Sequence, residues 1–188
     1  MSELIDELLA DARDRMTKSV EATQLEFNSV RTGRASPSLL DRIVVDYYGT
    51  ATPLKQLAGI HAPEAQLLTV QPYDKSSIKS IEKSIRDSDL GLNPSNDGHL
   101  IRLSIPPLTE ERRKELVKVV RHMAEEGRVA VRNVRRDAIR HLEELVKNGS
   151  VGDDEERAAE NRAQKLTDEH VAKIDDLLKR KEAEIMEV

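Results

Sequence analysis

The 188-residue sequence contains no cysteine and no tryptophan, and its only aromatic side chains are three tyrosines and one phenylalanine. Without cysteine the chain can form neither a disulfide framework nor a thiolate metal site, which fits a reducing compartment. A core with so few aromatic rings must be built from Leu, Ile, Val, Ala and Met. Together with 35% charged residues, this composition is typical of long amphipathic helices.

The sequence also lacks long apolar runs. No stretch approaches the ~20 consecutive apolar residues that are needed to span a bilayer. The first seven residues, MSELIDE, are acidic where a secretory signal would be basic. We therefore expect a soluble, cytoplasmic protein that has no membrane partner.

Catalytic and metal-binding patterns are missing as well. There is no phosphate-binding loop or dinucleotide fingerprint, and Gly33 stands alone in its loop. The five histidines show no metal-ligand spacing, and His170 falls on an apolar helical face, which favours a packed structural role. The acidic run at residues 153–156 is explained by a helix start, where negative charge is favoured. A hydrolase acting through Ser36 lacks a recognisable base, so we expect no enzymatic activity, no metal and no cofactor.

Charge is distributed unevenly along the chain, whose formal net charge is −5. Residues 1–30 carry 3 basic and 7 acidic side chains, and residues 149–188 carry 7 and 12. Residues 107–148, in contrast, carry 11 basic and 8 acidic side chains. An acidic protein with such a basic interior segment can still bind RNA through one local surface.

Apolar residues recur every three to four positions in three segments, which predicts helices over residues 2–29, from Thr109 to about residue 147, and from Gly152 onward. The predicted buried stripes are Ile5, Leu9, Ala12, Met16, Val20, Thr23 and Phe27; Leu116, Val120, Met123, Gly127, Val131, Val134, Ala138, Leu142 and Leu145; and Ala159, Ala163, Leu166, His170, Ile174 and Leu177. Three such helices must bury their stripes against one another, which predicts a three-helix bundle.

The residues between the first two helices have the composition of short strands and turns. A strand at 43–48 followed by Gly49-Thr50 predicts a hairpin, and the pattern predicts a short helix near 76–88 with Ser76 or Ser77 as its N-cap. Further strands are predicted near 52–57, 67–70 and 100–105, with a turn at 93–98. This segment is expected to be a small mixed α/β module.

Breaks in these patterns delimit the module. Gly and Pro interrupt the helical periodicity at residues 31–38, and Pro106-Pro107 cannot donate hydrogen bonds to a sheet ladder. We therefore predict the α+β class, with an elongated three-helix bundle formed by residues 1–30 and 107–188. A small β/α/β domain, residues 31–106, is inserted between its first and second helices.

Five arginines cluster on the second long helix and define what we call the arginine face: Arg128, Arg132, Arg135, Arg136 and Arg140. They cover an arc of roughly 140° beside the apolar stripe. Guanidinium groups are permanently charged and make paired hydrogen bonds to phosphate. The face therefore either binds RNA backbone or is a solvated surface paired with acids of the neighbouring helices. Only one acid of its own helix, Asp137, lies within it, which favours binding.

The Tyr47-Tyr48 pair is a second candidate, because aromatic rings can stack on bases. Adjacent side chains of a strand point to opposite faces, so we expect one ring in the core and the other exposed. Packing against protein is the favoured interpretation of the pair.

Six runs of residues carry a resemblance to a known family: VRTGRASP at 30–37, YYGT at 47–50, DLGLNP at 89–94, PPLTEERRK at 106–114, RVAVRNVRRD at 128–137 and QKLTD at 164–168. In these runs, and in their order, the chain resembles the bacterial ribosome recycling factors. Ordered agreement across residues 30–168 is far more specific than any single short motif.

The resemblance implies an L-shaped protein whose bundle binds the RNA of the large ribosomal subunit after termination. With elongation factor G and GTP it would split the post-termination complex and release ribosomes for reuse, GTP hydrolysis belonging to elongation factor G. It would act as a monomer. The family's RNA-contacting arginines fall on Arg113, Arg132, Arg135 and Arg136, while Arg128 fits the same face by geometry.

The resemblance also implies two hinges, near residues 31–33 and 105–107. They fall on Arg31, Thr32 and Gly33, and on Ile105, Pro106 and Pro107. Glycine gives one strand backbone freedom and the prolines stiffen the other, so swinging about a limited axis is expected. The alternative function is a non-catalytic helical interaction module, such as a chaperone-like clamp that binds acidic proteins.

Overall fold

The computed structural model describes residues 3–187, which form two compact units. One unit combines the part of the chain up to Arg31 with the part from Glu110 onward, and the other is Thr32–Thr109. The first is a bundle of three long helices and the second contains antiparallel sheets with a short helix. The α+β class predicted from the sequence is therefore confirmed.

The regular elements have the following bounds. The helices are α1 (Glu3–Ser29), α2 (Leu54–Leu57), α3 (Ile78–Arg86), α4 (Glu110–Lys147) and α5 (Asp153–Met186). The strands are β1 (Val44–Tyr47), β2 (Thr50–Pro53), β3 (Ala58–Glu64), β4 (Leu67–Pro72), β5 (Pro94–Asn96) and β6 (Ile101–Ser104). Short 3-10 turns occupy Pro37–Leu40 and Lys75–Ser77.

Each of the long helices α1, α4 and α5 packs against the other two. The predicted stripes are buried except at Val20, Met123, Leu145 and Leu177, which are half-buried. The periodicity of the sequence thus identified the packed face of every helix, because a 3.6-residue repeat keeps apolar side chains on one side.

Gly127 allows a close crossing in the middle of the bundle. A Cβ atom at this position would overlap the Thr23 hydroxyl of α1 and would lie 3.2 Å from the Ile174 methyl carbon of α5. Thr23 is itself only 3% exposed, and its hydroxyl donates to the Ser19 carbonyl at 3.0 Å. The absence of a side chain at residue 127 is therefore a packing requirement rather than a demand of backbone conformation.

His170 lies in the bundle core, as its place on the apolar stripe predicts, and is 3% exposed. Its Nδ1 is 2.6 Å from the Leu166 carbonyl oxygen, and its Nε2 is 3.2 Å from the Thr17 hydroxyl. Both ring nitrogens thus have hydrogen-bond partners, which is how buried polar groups are tolerated. The structural interpretation of this histidine is confirmed.

The second unit contains a β1–β2 hairpin and a four-stranded antiparallel sheet with the strand order β3-β4-β6-β5. Helix α3 buries Ile78, Ile81 and Ile85 in the core of this unit. The predicted hairpin at Gly49-Thr50 is present, with Tyr47 paired to Thr50 across the turn. The strands predicted near 67–70 and 100–105 correspond to β4 and β6.

The strand predicted over 52–57 is wrong beyond Pro53. Strand β2 ends at that proline, whose φ of −57° suits a helical first turn, and Leu54–Leu57 form α2. Leu54 is fully buried and Leu57 packs beside the same core. A single helical turn places positions i and i+3 on one side, which a strand would not do.

Two strands escaped prediction, and both lie at sheet edges. β3 contains Pro63 and has a register irregularity between His61 and Glu64, while β5 begins at Pro94 within the run expected to be a turn. Proline is tolerated at edges and bulges because the missing N–H has no strand to bind. Proline-rich edge strands therefore resemble loops in a sequence.

The helix predicted near 76–88 is present, and the predicted Ser77 is the N-cap residue of α3, although its side chain makes no capping hydrogen bond. The 3-10 turn Lys75–Ser77 runs directly into α3, and the Asp74 side chain accepts from the Ser76 amide at 3.0 Å and hydroxyl at 2.7 Å. These bonds hold the pKa of Asp74 below its ordinary value, the Ser76 hydroxyl contributing most. The side-chain capping bonds are therefore made by Asp74, at the start of the 3-10 turn that precedes the α-helix.

The segments that enter and leave the second unit run side by side. Gly33 has a left-handed φ of +73°, and a Cβ atom there would lie 2.8 Å from Cγ of Leu108. On the return segment Ile105 is buried and its amide donates to the Gln66 carbonyl at 2.8 Å, whereas Pro106 is exposed. Ile105 is thus fixed to the sheet, and the irregular part of this segment follows it.

Asp97 organises the turn between β5 and β6. Its carboxylate accepts from the amides of His99 and Leu100 at 3.0 and 2.9 Å and from the Arg102 guanidinium at 3.1 Å. The backbone hydrogen bonds, followed by that from Arg102, lower the pKa of Asp97 from 3.8 to about 2.

This pKa predicts an acid-sensitive contribution to the stability of the second unit. A depressed carboxyl pKa stabilises the folded state above the unfolded pKa, and the contribution is lost as pH falls from about 4 through about 2. The stability difference between the native chain and Asp97→Asn should therefore shrink over that interval. Tyrosine fluorescence measures it selectively, since Tyr47, Tyr48 and Tyr73 all lie in Thr32–Thr109. A difference that does not change with pH would contradict the assignment.

Candidate nucleic-acid interface

The arginine face lies on α4, which continues without interruption from Glu110 to Lys147. Acidic residues in its first turn, Glu110 and Glu111, suit the positive end of the helix dipole. Packing of the apolar stripe against α1 and α5 fixes the rotation of the helix about its axis. The arginines beside the stripe are thereby held on a rigid support.

Arg128 is held between two carboxylates. Its Nε donates to Asp175 Oδ1 on α5 at 2.7 Å, and its Nη1 donates to Glu125 Oε2 at 2.8 Å. Only 19% of its side chain is exposed. Burial opposes the charge of Arg128, but the hydrogen bonds to Asp175 and Glu125 outweigh it and raise its pKa. This arginine connects α4 to α5 and presents little surface to a ligand.

Glu125 binds two arginines with its two oxygens. Besides the contact of Oε2 with Arg128, its Oε1 accepts from Nη1 of Arg132 at 3.3 Å. The hydrogen bond from Arg128 is the main reason why the pKa of Glu125 lies below its ordinary value. The carboxylate is therefore ionised at neutral pH, although half of its side chain, 54%, is exposed.

The next arginines along the face have few acidic partners. Arg132 is 44% exposed, with the longer of the two contacts to Glu125, and Arg136 donates only to the neutral Asn133 side chain, at 3.2 Å. Within residues 3–187, the side chain of Arg135 makes neither an ion pair nor a hydrogen bond. Positive charge is thus least compensated around Arg135 and Arg136.

Asp137, the one acid within the arginine face, is engaged elsewhere. Its Oδ2 accepts from Arg15 of α1 at 2.9 Å, and this hydrogen bond is the main cause of the lowered pKa of Asp137. The pair links α1 to α4. Because Arg15 already binds the Asp137 carboxylate, this carboxylate offsets the positive charge of the neighbouring arginines less than the sequence suggests.

Arg113 does not join the cluster. It lies fifteen residues before Arg128, which corresponds to roughly 22 Å along the helix axis. Its side chain is half-buried, and no ion pair within the described part of the chain neutralises it. Arg113 therefore forms a separate basic position near the start of α4.

The two alternatives for the arginine face, RNA binding and pairing with neighbouring acids, therefore apply to different parts of the helix. Pairing with neighbouring acids accounts for Arg128 and in part for Arg132, but not for Arg135 or Arg136. The contribution of Glu125 could have been recognised from its three-residue spacing to Arg128. The contributions of Asp175 and Arg15 could not have been recognised from the sequence, because they depend on how helices that are distant in the chain pack together.

The second unit exposes aromatic side chains. Tyr48 is 78% exposed with a left-handed φ of 49°, and Tyr73 is 75% exposed. Tyr47 is half-buried, and its hydroxyl donates to Asp74 at 3.0 Å, which raises the pKa of Tyr47. The predicted exposed ring is present, but the other ring is half-buried rather than in the core, and Tyr48 lies in the turn after β1 rather than in the strand.

Metal-ligand clusters and membrane-spanning helices are absent from the described part of the chain. Within residues 3–187 no three His, Cys, Asp or Glu side chains are grouped so that they could hold a metal ion. Ser36, the candidate nucleophile, has its hydroxyl oxygen 2.8 Å from that of Ser38. None of the helices in the described part of the chain has the length and apolar character needed to cross a membrane.

Comparison with known proteins identifies the family. The family model described as ribosome recycling factor matches residues 23–186. The ribosome-recycling factor of Rubrobacter xylanophilus is 57% identical over 188 residues, which is 100% of each chain. That of Bacillus subtilis is 57% identical over 182 residues, covering 97% of this chain and 98% of that protein.

Solved structures agree with the sequence comparison. A solution structure of the ribosome recycling factor is 43% identical, with a TM-score of 0.79 and coverage of 100% of both chains. Another is described as models for the T. thermophilus ribosome recycling factor and the E. coli elongation factor G bound to the E. coli post-termination complex. Its matching chain is 51% identical, has a TM-score of 0.65 and covers 97% of this chain and 98% of its own. The chain belongs to the ribosome recycling factor family.

Proposed function

We propose that this protein binds the large ribosomal subunit after termination and docks on its RNA through α4. The observation that carries this proposal is the position of Arg132, Arg135 and Arg136 beside one another with little acidic compensation, Arg132 and Arg136 being exposed and Arg135 half-buried. Three guanidinium groups on a rigid helix suit phosphates at fixed positions along an RNA backbone. Arg113 extends the contact toward the start of the helix. Arg128 contributes indirectly, because its ion pairs connect α4 to α5 beneath the exposed arginines.

The partner in the splitting step is elongation factor G with GTP. This is supported by the solved relative, whose description places a ribosome recycling factor together with elongation factor G on a post-termination complex. Hydrolysis of GTP belongs to elongation factor G, and this chain works without catalysis of its own. We infer that it acts as a cytoplasmic monomer.

Movement between the two units transmits the action of elongation factor G. The irregular segments at Arg31-Thr32-Gly33 and after Ile105 supply the hinges, and Pro106 and Pro107 limit the directions of swing. Gly33 adopts a left-handed backbone, and its lack of a side chain leaves room for Leu108. The long helices then act as rigid levers that carry force to contacts between the subunits.

Subunit splitting tests this function. Post-termination ribosomes are mixed with this protein, with elongation factor G from the same organism and with GTP, and dissociation is followed by light scattering. Scattering should fall only when all components are present, because binding alone does not separate the subunits. Unchanged scattering with matched factors would refute the recycling function. The alternative, a helical module that binds RNA or protein, would then be favoured.

A further inference from the structure

The ion pairs of Glu125 differ in how firmly they are held. Arg128 keeps a second carboxylate, Asp175 at 2.7 Å, and is largely covered. Arg132 has no ion-pair partner other than Glu125 among residues 3–187, at 3.3 Å and with both side chains about half exposed. Exposed pairs of this kind are weak and exchange readily with other anions. Glu125 can therefore release Arg132 while Arg128 stays neutralised.

We propose that Glu125 is an internal competitor for RNA phosphate. In the free protein its carboxylate occupies the anion-binding side of the Arg132 guanidinium, and the RNA backbone displaces it on binding. The inference rests on the proposed RNA-binding role of α4 and goes beyond it, since it assigns a function to an acid that makes no favourable contact with RNA.

The competition has a consequence for release. When a phosphate leaves Arg132, the tethered carboxylate of Glu125 is already within reach and closes on the guanidinium again. A local anion of this kind acts at high effective concentration, so it opposes rebinding of the RNA. Glu125 thereby keeps the affinity of the arginine face below its maximum and shortens the lifetime of the complex. A factor that must leave each ribosome before acting on the next benefits from such a limit.

The test compares Glu125→Gln with the native chain in binding to purified large ribosomal subunits at low salt. Glutamine keeps the length of the side chain, and its single amide oxygen can still accept from Arg128, which also keeps Asp175, so the bundle remains intact. We expect about fivefold tighter binding, the effect of one unit charge near contact distance in water. Most of the gain should be in the dissociation rate, and it should diminish at high salt, which screens the charge.

Glu126→Gln is the matched control. It removes the same charge from the adjacent position, where the carboxylate pairs with His122 at 3.2 Å instead of with the arginine face. A second test is Glu125→Gln in an Arg132→Ala background, where the gain should vanish because the competition acts through Arg132. Equal gains from Glu125→Gln and Glu126→Gln, or no gain from the first, would overturn the inference.

An Arg135→Ala variant separates failure of this inference from failure of the proposed function. If Arg135→Ala weakens binding while Glu125→Gln has no effect, the arginine face binds RNA and only the role of Glu125 is refuted. If neither substitution changes binding, the RNA-binding role of α4 itself is refuted. Helical circular dichroism of each variant establishes that the bundle is intact.

Discussion

Replacing Gly127 by alanine should destabilise the bundle, although alanine is the better helix former. The new methyl group would overlap the Thr23 hydroxyl and press on Ile174. Overpacking a close-packed interior costs about 1–3 kcal/mol, occasionally more. We expect the upper part of that range, because both neighbours lie on packed helices, while the gain in helix propensity returns only roughly 1 kcal/mol. Urea unfolding followed by helical circular dichroism should show a net loss of about 2 kcal/mol.

A double substitution identifies the cause. Thr23→Ala removes the overlapping oxygen and should by itself have a modest effect, since its hydroxyl bonds only within its own helix, to Ser19. In the Thr23→Ala background, Gly127→Ala should regain most of the lost stability. Such coupling is expected of residues in direct contact and absent for independent sites. Additive losses in the double variant would show that the crossing at Gly127 is not limited by Thr23.

The second large effect concerns binding. Simultaneous replacement of Arg132, Arg135 and Arg136 by alanine should weaken binding to large ribosomal subunits by roughly 10²-fold or more at low salt, since each charged hydrogen bond contributes more than ~1 kcal/mol. Each lost phosphate contact should also lower the slope of log affinity against log salt by about 1. Binding measured at several salt concentrations gives both quantities.

The matched control removes three positive charges from another helix. Lys165, Lys173 and Lys179 are exposed on α5, and none of them makes an ion pair within the described part of the chain. Their replacement by alanine should change binding little, because the arginine face remains complete. If both triple variants lose affinity equally, net charge rather than the geometry of α4 determines binding. Unfolding curves of the two variants should coincide with that of the native chain.

The bundle was predictable because its signals are local and repeated. Each stripe contains at least five apolar or small residues at helical spacing, so errors at single positions such as Val20 and Met123 do not shift the packed face. The sheet unit depends on shorter signals. Strand β5 has three residues and begins with Pro94, and Pro53 looks like a strand end while it begins a helical turn. Such elements are fixed by pairing and packing with distant segments.

The candidate site shows the same division. The positions of Arg132, Arg135 and Arg136 on one side of α4 follow from their spacing alone. Two contacts that alter the charge around them depend on the other helices: Asp175 of α5 neutralises Arg128, and Arg15 of α1 binds Asp137. Sequence spacing cannot distinguish Arg128, which is paired with two carboxylates, from the half-buried Arg135, which has no ion pair within the described part of the chain. The uncompensated positive charge therefore lies nearer the C-terminal part of α4, around Arg135 and Arg136, than the spacing of the arginines indicates.

The insertion of the sheet unit after α1 affects how the bundle is made. Helix α1 is synthesised first, but its apolar stripe is buried by α4 and α5, which follow Thr32–Thr109. The intervening segment of roughly 80 residues takes on the order of 4–16 s to translate. Helices α4 and α5 follow one another directly and can pair as soon as they emerge. During each round of synthesis the nascent α1 therefore spends seconds without its packing partners, and this is the interval in which a chaperone or an aggregate could capture it.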